Sequence, residues 1–159
     1  MDHAIAHFVA GEWPAGDARD SVTLDFDTRH RRRLRLTTDA GNDVLLDLKE
    51  ARAMADGDGL RLADGGWIAV RAAPEDLLEV RCAEPHLQLR VAWHLGNRHL
   101  AAEIHPDRIL IRPDHVIEAM LQGLGAEVRH VRAAFQPEGG AYGGHGHSHG
   151  HGHGHDHHH

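Results

Sequence analysis

Histidine is the side chain in this sequence with the most chemistry to offer. Of its 18 histidines, nine fall within residues 145–159. An imidazole recurs there at every second position, at His145, His147, His149, His151, His153 and His155, with glycine or serine between them, and His157, His158 and His159 follow. Neutral imidazole is a borderline ligand that suits nickel, zinc and copper. Intervening glycine lets the backbone wrap an ion in many registers. The result is high capacity and fast exchange, without the geometric selectivity of a fixed four-ligand cage. Such a tract suits collecting or handing over a metal rather than retaining one. A purification tag is an unbroken run, and the alternation with Gly and Ser departs from that pattern.

The other histidines must be placed by the elements around them. His94 and His99 flank Leu95-Gly96-Asn97-Arg98. On a continuous helix a five-residue step turns about 140°, so the two would not share a face. If Gly96-Asn97 ends the helix, His99 hangs from the loop that follows. His115 falls in the first turn of a second helix, beside its apolar stripe. His3, His7, His30, His86, His105 and His130 show no ligand spacing and read as background. Cys82 reads as a small core residue on a strand. As the lone cysteine it excludes an intramolecular disulfide and a Cys-rich zinc site, and it fits a reducing cytoplasm.

Two regions of different pattern precede the histidine tract. Residues 1–75 read as short strands separated by turns, which suggests a small all-β sandwich or barrel. Leu34 and Leu36 alternate with arginines, Thr38-Asp39-Ala40-Gly41-Asn42-Asp43 supplies a hairpin loop, and residues 44–48 return. Asp56-Gly57-Asp58-Gly59 and Asp64-Gly65-Gly66 are further turns around Leu60-Arg61-Leu62 and Trp67-Ile68-Ala69-Val70.

From residue 76 to 135 the reading is strand 76–82, a helix opened by Pro85 and ended by Gly96-Asn97, and strands 101–104 and 108–112. A helix opened by Pro113 follows, then a strand over 127–132. Val116, Ile117, Met120, Leu121 and Leu124 form the second helix's stripe, with Gly125 as its stop. The order β-α-β-β-α-β is the ferredoxin-like plan, so the fold class is α+β. Residues 136–159 bury too little to offset ordering entropy and read as a disordered, flexible tail. Domains of this size have marginal cores, so oligomerisation is expected to help.

Composition excludes several functions. The formal charge is −7 and aromatics make up 4% of residues, which leaves neither an electrostatic footprint nor stacking platforms for nucleic acid. No stretch approaches the roughly 20 apolar residues of a membrane span, and the N-terminus lacks a secretory signal. His-Glu-x-x-His, Gly-x-Ser-x-Gly, glycine-rich phosphate loops and Cys-x-x-Cys are all absent, so no catalytic residue or cofactor-binding loop is assigned. A hydrolase built on His94, His99 and His115 lacks a general base.

Three segments in order then carry a resemblance: His94-Leu95-Gly96-Asn97-Arg98-His99, Asp114-His115-Val116 followed by Glu118 and Met120-Leu121, and Phe135-Gln136-Pro137-Glu138-Gly139-Gly140-Ala141-Tyr142. With the histidine tail they resemble the urease accessory nickel metallochaperones, UreE. The resemblance implies a β-rich N-terminal domain that contacts partner proteins and a ferredoxin-like domain that dimerises. It also implies that His99 from both chains binds one Ni(II) at the interface, with His115 as a secondary ligand and the tail histidines completing the coordination. The partners it implies are a second copy, the urease accessory GTPase UreG and the urease apoprotein complex, with no nucleic acid and no membrane. Zn(II) and Cu(II) suit the same sites. Some family members carry a further histidine before the Asp-His pair, where this chain has Pro113. A general histidine-rich nickel or zinc store is the alternative reading.

Overall fold

The computed structural model describes residues 1–139. The nine histidines from His145 to His159 lie outside them.

The N-terminal half is one curled six-stranded sheet. Its strands are β1 (Asp2–Phe8), β2 (Ala18–Leu24), β3 (Arg33–Thr37), β4 (Asp43–Asp47), β5 (Gly59–Leu62) and β6 (Trp67–Ala72), arranged β2-β6-β5-β1-β4-β3. The expected hairpin is present, and the turn at Asp64-Gly65-Gly66 joins a second one. β3 pairs antiparallel with β4, and Gly41 at φ +89° serves the turn between them; β5 pairs antiparallel with β6. Long-range pairings join the hairpins, β1 running parallel to β4 and β2 parallel to β6. The curl brings edge strand β2 to the β3–β4 loop, where the Asp39 N–H donates to the Ser21 carbonyl at 2.8 Å and the Thr23 hydroxyl donates to the Asp39 carboxylate at 3.0 Å. One sheet closing towards itself thus replaces the expected choice of sandwich or barrel. Its concave face buries Ala4, Val22, Leu46, Leu60, Ile68 and Val70.

The second half follows the expected order: β7 (Pro74–Arg81), α1 (Pro85–Asn97), β8 (Ala102–Ile104), β9 (Ile109–Ile111), α2 (His115–Gly123) and β10 (Glu127–Ala134). Its four strands lie in the order β10-β7-β9-β8, every neighbouring pair antiparallel. Both helices cover one face, burying Val91 and Leu95 of α1 and Ile117 and Leu121 of α2 against Leu78, Val80, Ile109 and Ile111. The stripe on α2 is narrower than the sequence suggests. Val116 is 59% exposed, because the buried line runs through positions 117 and 121, one turn apart. Cys82 sits just past the end of β7, half-buried against this core, and burial pushes its thiol above the ordinary value.

One buried guanidinium ties the halves together. Arg29 donates to the carbonyls of Leu24, Met54 and Phe135, and burial pulls it below its ordinary pKa. Phe135 is fully buried and meets the Phe26 ring edge-on at 5.3 Å. Beyond it, the Gln136 N–H donates to Glu103 at 2.7 Å and the Glu138 N–H donates to the Ala102 carbonyl at 2.8 Å. The chain therefore leaves the described region beside edge strand β8.

Candidate metal centre

His99 is positioned by the way α1 ends. The helix runs through Gly96 and Asn97, both of which sequence reasoning assigned to its stop. The left-handed residue is His99 itself, at φ +56°, the only non-glycine with positive φ among the described residues. The His99 N–H donates to the Gly96 carbonyl at 3.0 Å, and the Leu100 N–H donates to the Leu95 carbonyl at 3.1 Å. This paired closure is the Schellman motif, in which the residue at the position of His99 is ordinarily glycine. Core register dictates the choice. Leu95 and Leu100 both pack into the helix-covered core, and stopping the helix earlier would withdraw Leu100 from it.

The second helix makes the comparison direct. The Gly125 N–H donates to the Gln122 carbonyl and the Ala126 N–H to the Leu121 carbonyl, each at 3.0 Å, with Gly125 at φ +98°. α2 thus ends with the same motif and a glycine. In α1 an exposed imidazole occupies the strained position instead. Strain held at a residue with no packing role is a pointer to function.

The start of α2 faces the same end of the helical layer. Asp114, rather than Pro113, caps the helix: its Oδ1 accepts from the N–H groups of Val116 at 2.9 Å and Ile117 at 3.1 Å. His115 is the first helical residue and is exposed. In an antiparallel sheet with two crossover helices, the end of α1 and the start of α2 become neighbours. His99 and Asp114 accordingly line one cleft of about 140 Å³ with Leu100, Ala101, Ile111, Arg112 and Ile117. The donors it offers are an imidazole nitrogen and a carboxylate oxygen, which suit a borderline divalent cation. Among the described residues, no group of three or more His, Cys, Asp or Glu converges in one protomer.

The remaining histidines are held elsewhere. His7, read as background, is buried with its Nε2 2.6 Å from Asp58, side chains 5% and 3% exposed. Asp58 also accepts from the N–H groups of Ala10 and Ala55, so this pair pins loops of the N-terminal sheet. His105 lies 2.6 Å from Glu103, and His130 lies 3.1 Å from Glu118. The His94 ring meets Trp93 edge-on at 5.0 Å, and His94 does not line the His99 cleft. Sequence reasoning missed the Asp114 carboxylate in the His99 cleft. The signal was available in the Asp-His-Val segment, where an N-cap residue commits only one of its two oxygens.

The fold and this cleft define a class: an α+β protein that places an imidazole and a carboxylate in one surface cleft beside an all-β domain. Family models described as the UreE urease accessory protein N-terminal and C-terminal domains match residues 1–73 and 75–159. A urease accessory protein UreE from Bradyrhizobium sp. (strain ORS 278) is 58% identical over 125 residues, covering 79% of this chain and 60% of the relative. Another from Chelativorans sp. (strain BNC1) is 58% identical over 128 residues, covering 80% and 81%. A third from Mesorhizobium japonicum is 48% identical over 143 residues, covering 89% and 73%. The chain belongs to the UreE urease accessory protein family. It spans 60% of the length of the Bradyrhizobium relative. These relatives are named as accessory proteins rather than enzymes. No helix among the described residues is long and apolar enough to cross a membrane.

Proposed function

We propose that this chain is a cytoplasmic, homodimeric nickel metallochaperone that delivers Ni(II) during assembly of the di-nickel centre of urease. The observation that carries the reading is His99, an exposed imidazole fixed in a left-handed backbone where the neighbouring helix uses glycine. A two-fold axis repeats one residue on both subunits, so a single His99 per chain becomes a pair. Two imidazoles form an open site that binds a cargo ion and releases it. His115 acts as a secondary ligand, and His145, His147, His149, His151, His153, His155, His157, His158 and His159 extend the coordination. The Glu138 N–H is bonded to the Ala102 carbonyl, three positions from His99, so the tail imidazoles that follow in sequence operate at an effective concentration on the order of millimolar. Zn(II) and Cu(II) compete for the same nitrogen ligands. The GTPase UreG and the urease apoprotein complex receive the ion.

A surface on α1 supports self-association. Leu89 and Trp93, one turn apart, are 69% and 64% exposed. Gly96 continues that face, and a Cβ built there meets nothing within 4 Å. Gly96 lies in the last turn of α1, where glycine still forgoes helix propensity relative to alanine, and nothing inside one protomer requires it. Close approach of a second copy beside His99 would.

Urease activation in cells tests the reading. Replacing His99 by alanine is expected to reduce nickel-dependent activation, whereas removing residues 145–159 is expected to lower ion capacity with activation retained. A store would give the reverse: activation that follows the tail and ignores His99.

A further inference from the structure

We infer that the free carboxylate oxygen of Asp114 is an oxygen ligand to the divalent cation that His99 holds. The inference rests on the reading of His99 as a metal ligand and adds a second type of donor to it. Asp114 and His99 line the same cleft, brought there from the start of α2 and the end of α1. Both capping hydrogen bonds fall on Oδ1. Among the described residues no hydrogen bond reaches Oδ2, so one anionic oxygen of this cleft-lining residue keeps its lone pairs uncommitted.

The cation already in the cleft does not claim it. Arg112 also lines the cleft, yet its Nη1 donates to Asp27 at 2.9 Å and its guanidinium lies over the Phe26 ring at 5.1 Å. The Asp114 charge is therefore available to an incoming ion. One protomer contributes one nitrogen and one oxygen; a two-fold pair contributes two of each. That set neutralises a divalent ion, which two imidazoles alone do not. It also gives the Asp-His-Val segment a division of labour: one oxygen builds the helix start, the other serves the cargo.

The capping role makes the test clean, because asparagine and serine cap a helix about as well as aspartate but carry no charge. The probe is Ni(II) alone, titrated by calorimetry into the full-length chain with its tail histidines, His145 to His159, replaced by serine. In that background Asp114→Asn and Asp114→Ser are each expected to weaken binding about 10–100-fold, the range seen when groups supporting a metal site are lost. Thermal unfolding in the presence of a chelator is expected to stay unchanged. Full affinity in either variant would overturn the inference. His99→Ala in the same background separates the two levels. If His99→Ala abolishes binding while Asp114→Asn does not, only the role of Asp114 fails. If His99→Ala leaves binding intact, the reading of His99 fails with it.

Discussion

Replacing His99 by glycine should stabilise the metal-free protein while destroying its proposed site. A non-glycine residue in the left-handed region costs about 1–2 kcal/mol, and His99 sits at φ +56°. Its side chain is exposed, so deleting it forfeits little packing. Glycine also frees the unfolded chain, which returns about 0.4–1 kcal/mol to the unfolded state. The net expectation is a gain of about 1 kcal/mol for His99→Gly over His99→Ala, since both remove the imidazole and only alanine keeps the strain. For a chain of this size that corresponds to about 2–4 °C in the thermal midpoint. The assay is circular dichroism melting of both variants with chelator present and protein concentration matched, so that neither bound metal nor association shifts the midpoint. An alanine variant as stable as the glycine variant would refute the claim that the helix end is strained to hold a ligand.

Other outcomes follow from the same geometry. Gly96→Leu, which improves helix propensity and meets no atom within the protomer, is expected to leave the fold intact but shift sedimentation towards monomer. Arg29→Met removes the donor for three carbonyls, two of them in the N-terminal half and one at Phe135. It is expected to cost on the order of 3 kcal/mol in urea unfolding, because the Met54 and Phe135 carbonyls lose their partner, whereas Leu24 keeps the Ala73 N–H. Asp25 is held below its ordinary value chiefly by the Thr28 hydroxyl, and Glu79 chiefly by the Arg81 guanidinium. Both are depressed in the folded state, so the unfolded chain binds more protons in acid. Their stabilisation is present above about pH 4 and is lost as pH falls through the folded values, which an acid titration of ellipticity reads directly.

Local chemistry made much of this fold legible. The Thr38–Asn42 turn and the Gly-bearing turn after Leu62 announce their hairpins because their residues tolerate the required backbone, and Gly125 marks the end of α2 for the same reason. The order of elements in the second half could be read from apolar period and breakers alone. The parallel pairing of β2 with β6 could not, since it joins segments more than 40 residues apart and has no local signature. α1 ends at Asn97 as its sequence suggests, but the left-handed residue that closes it is His99 rather than Gly96 or Asn97, because the demand to seat Leu100 beside Leu95 prevails over conformational tolerance. His99 was legible as a loop histidine, but its strain was not. Asp114 was visible as part of a motif and invisible as a cleft residue, because its proximity to His99 depends on how two helices meet.

The most direct test of the central claim is nickel stoichiometry measured together with molecular mass, by sedimentation of a chain ending at Gly139. Sharing of one ion between two copies of His99 predicts a dimer carrying one nickel per two chains, with the ion lost in His99→Ala. A loaded monomer that holds its nickel within a single chain would contradict it.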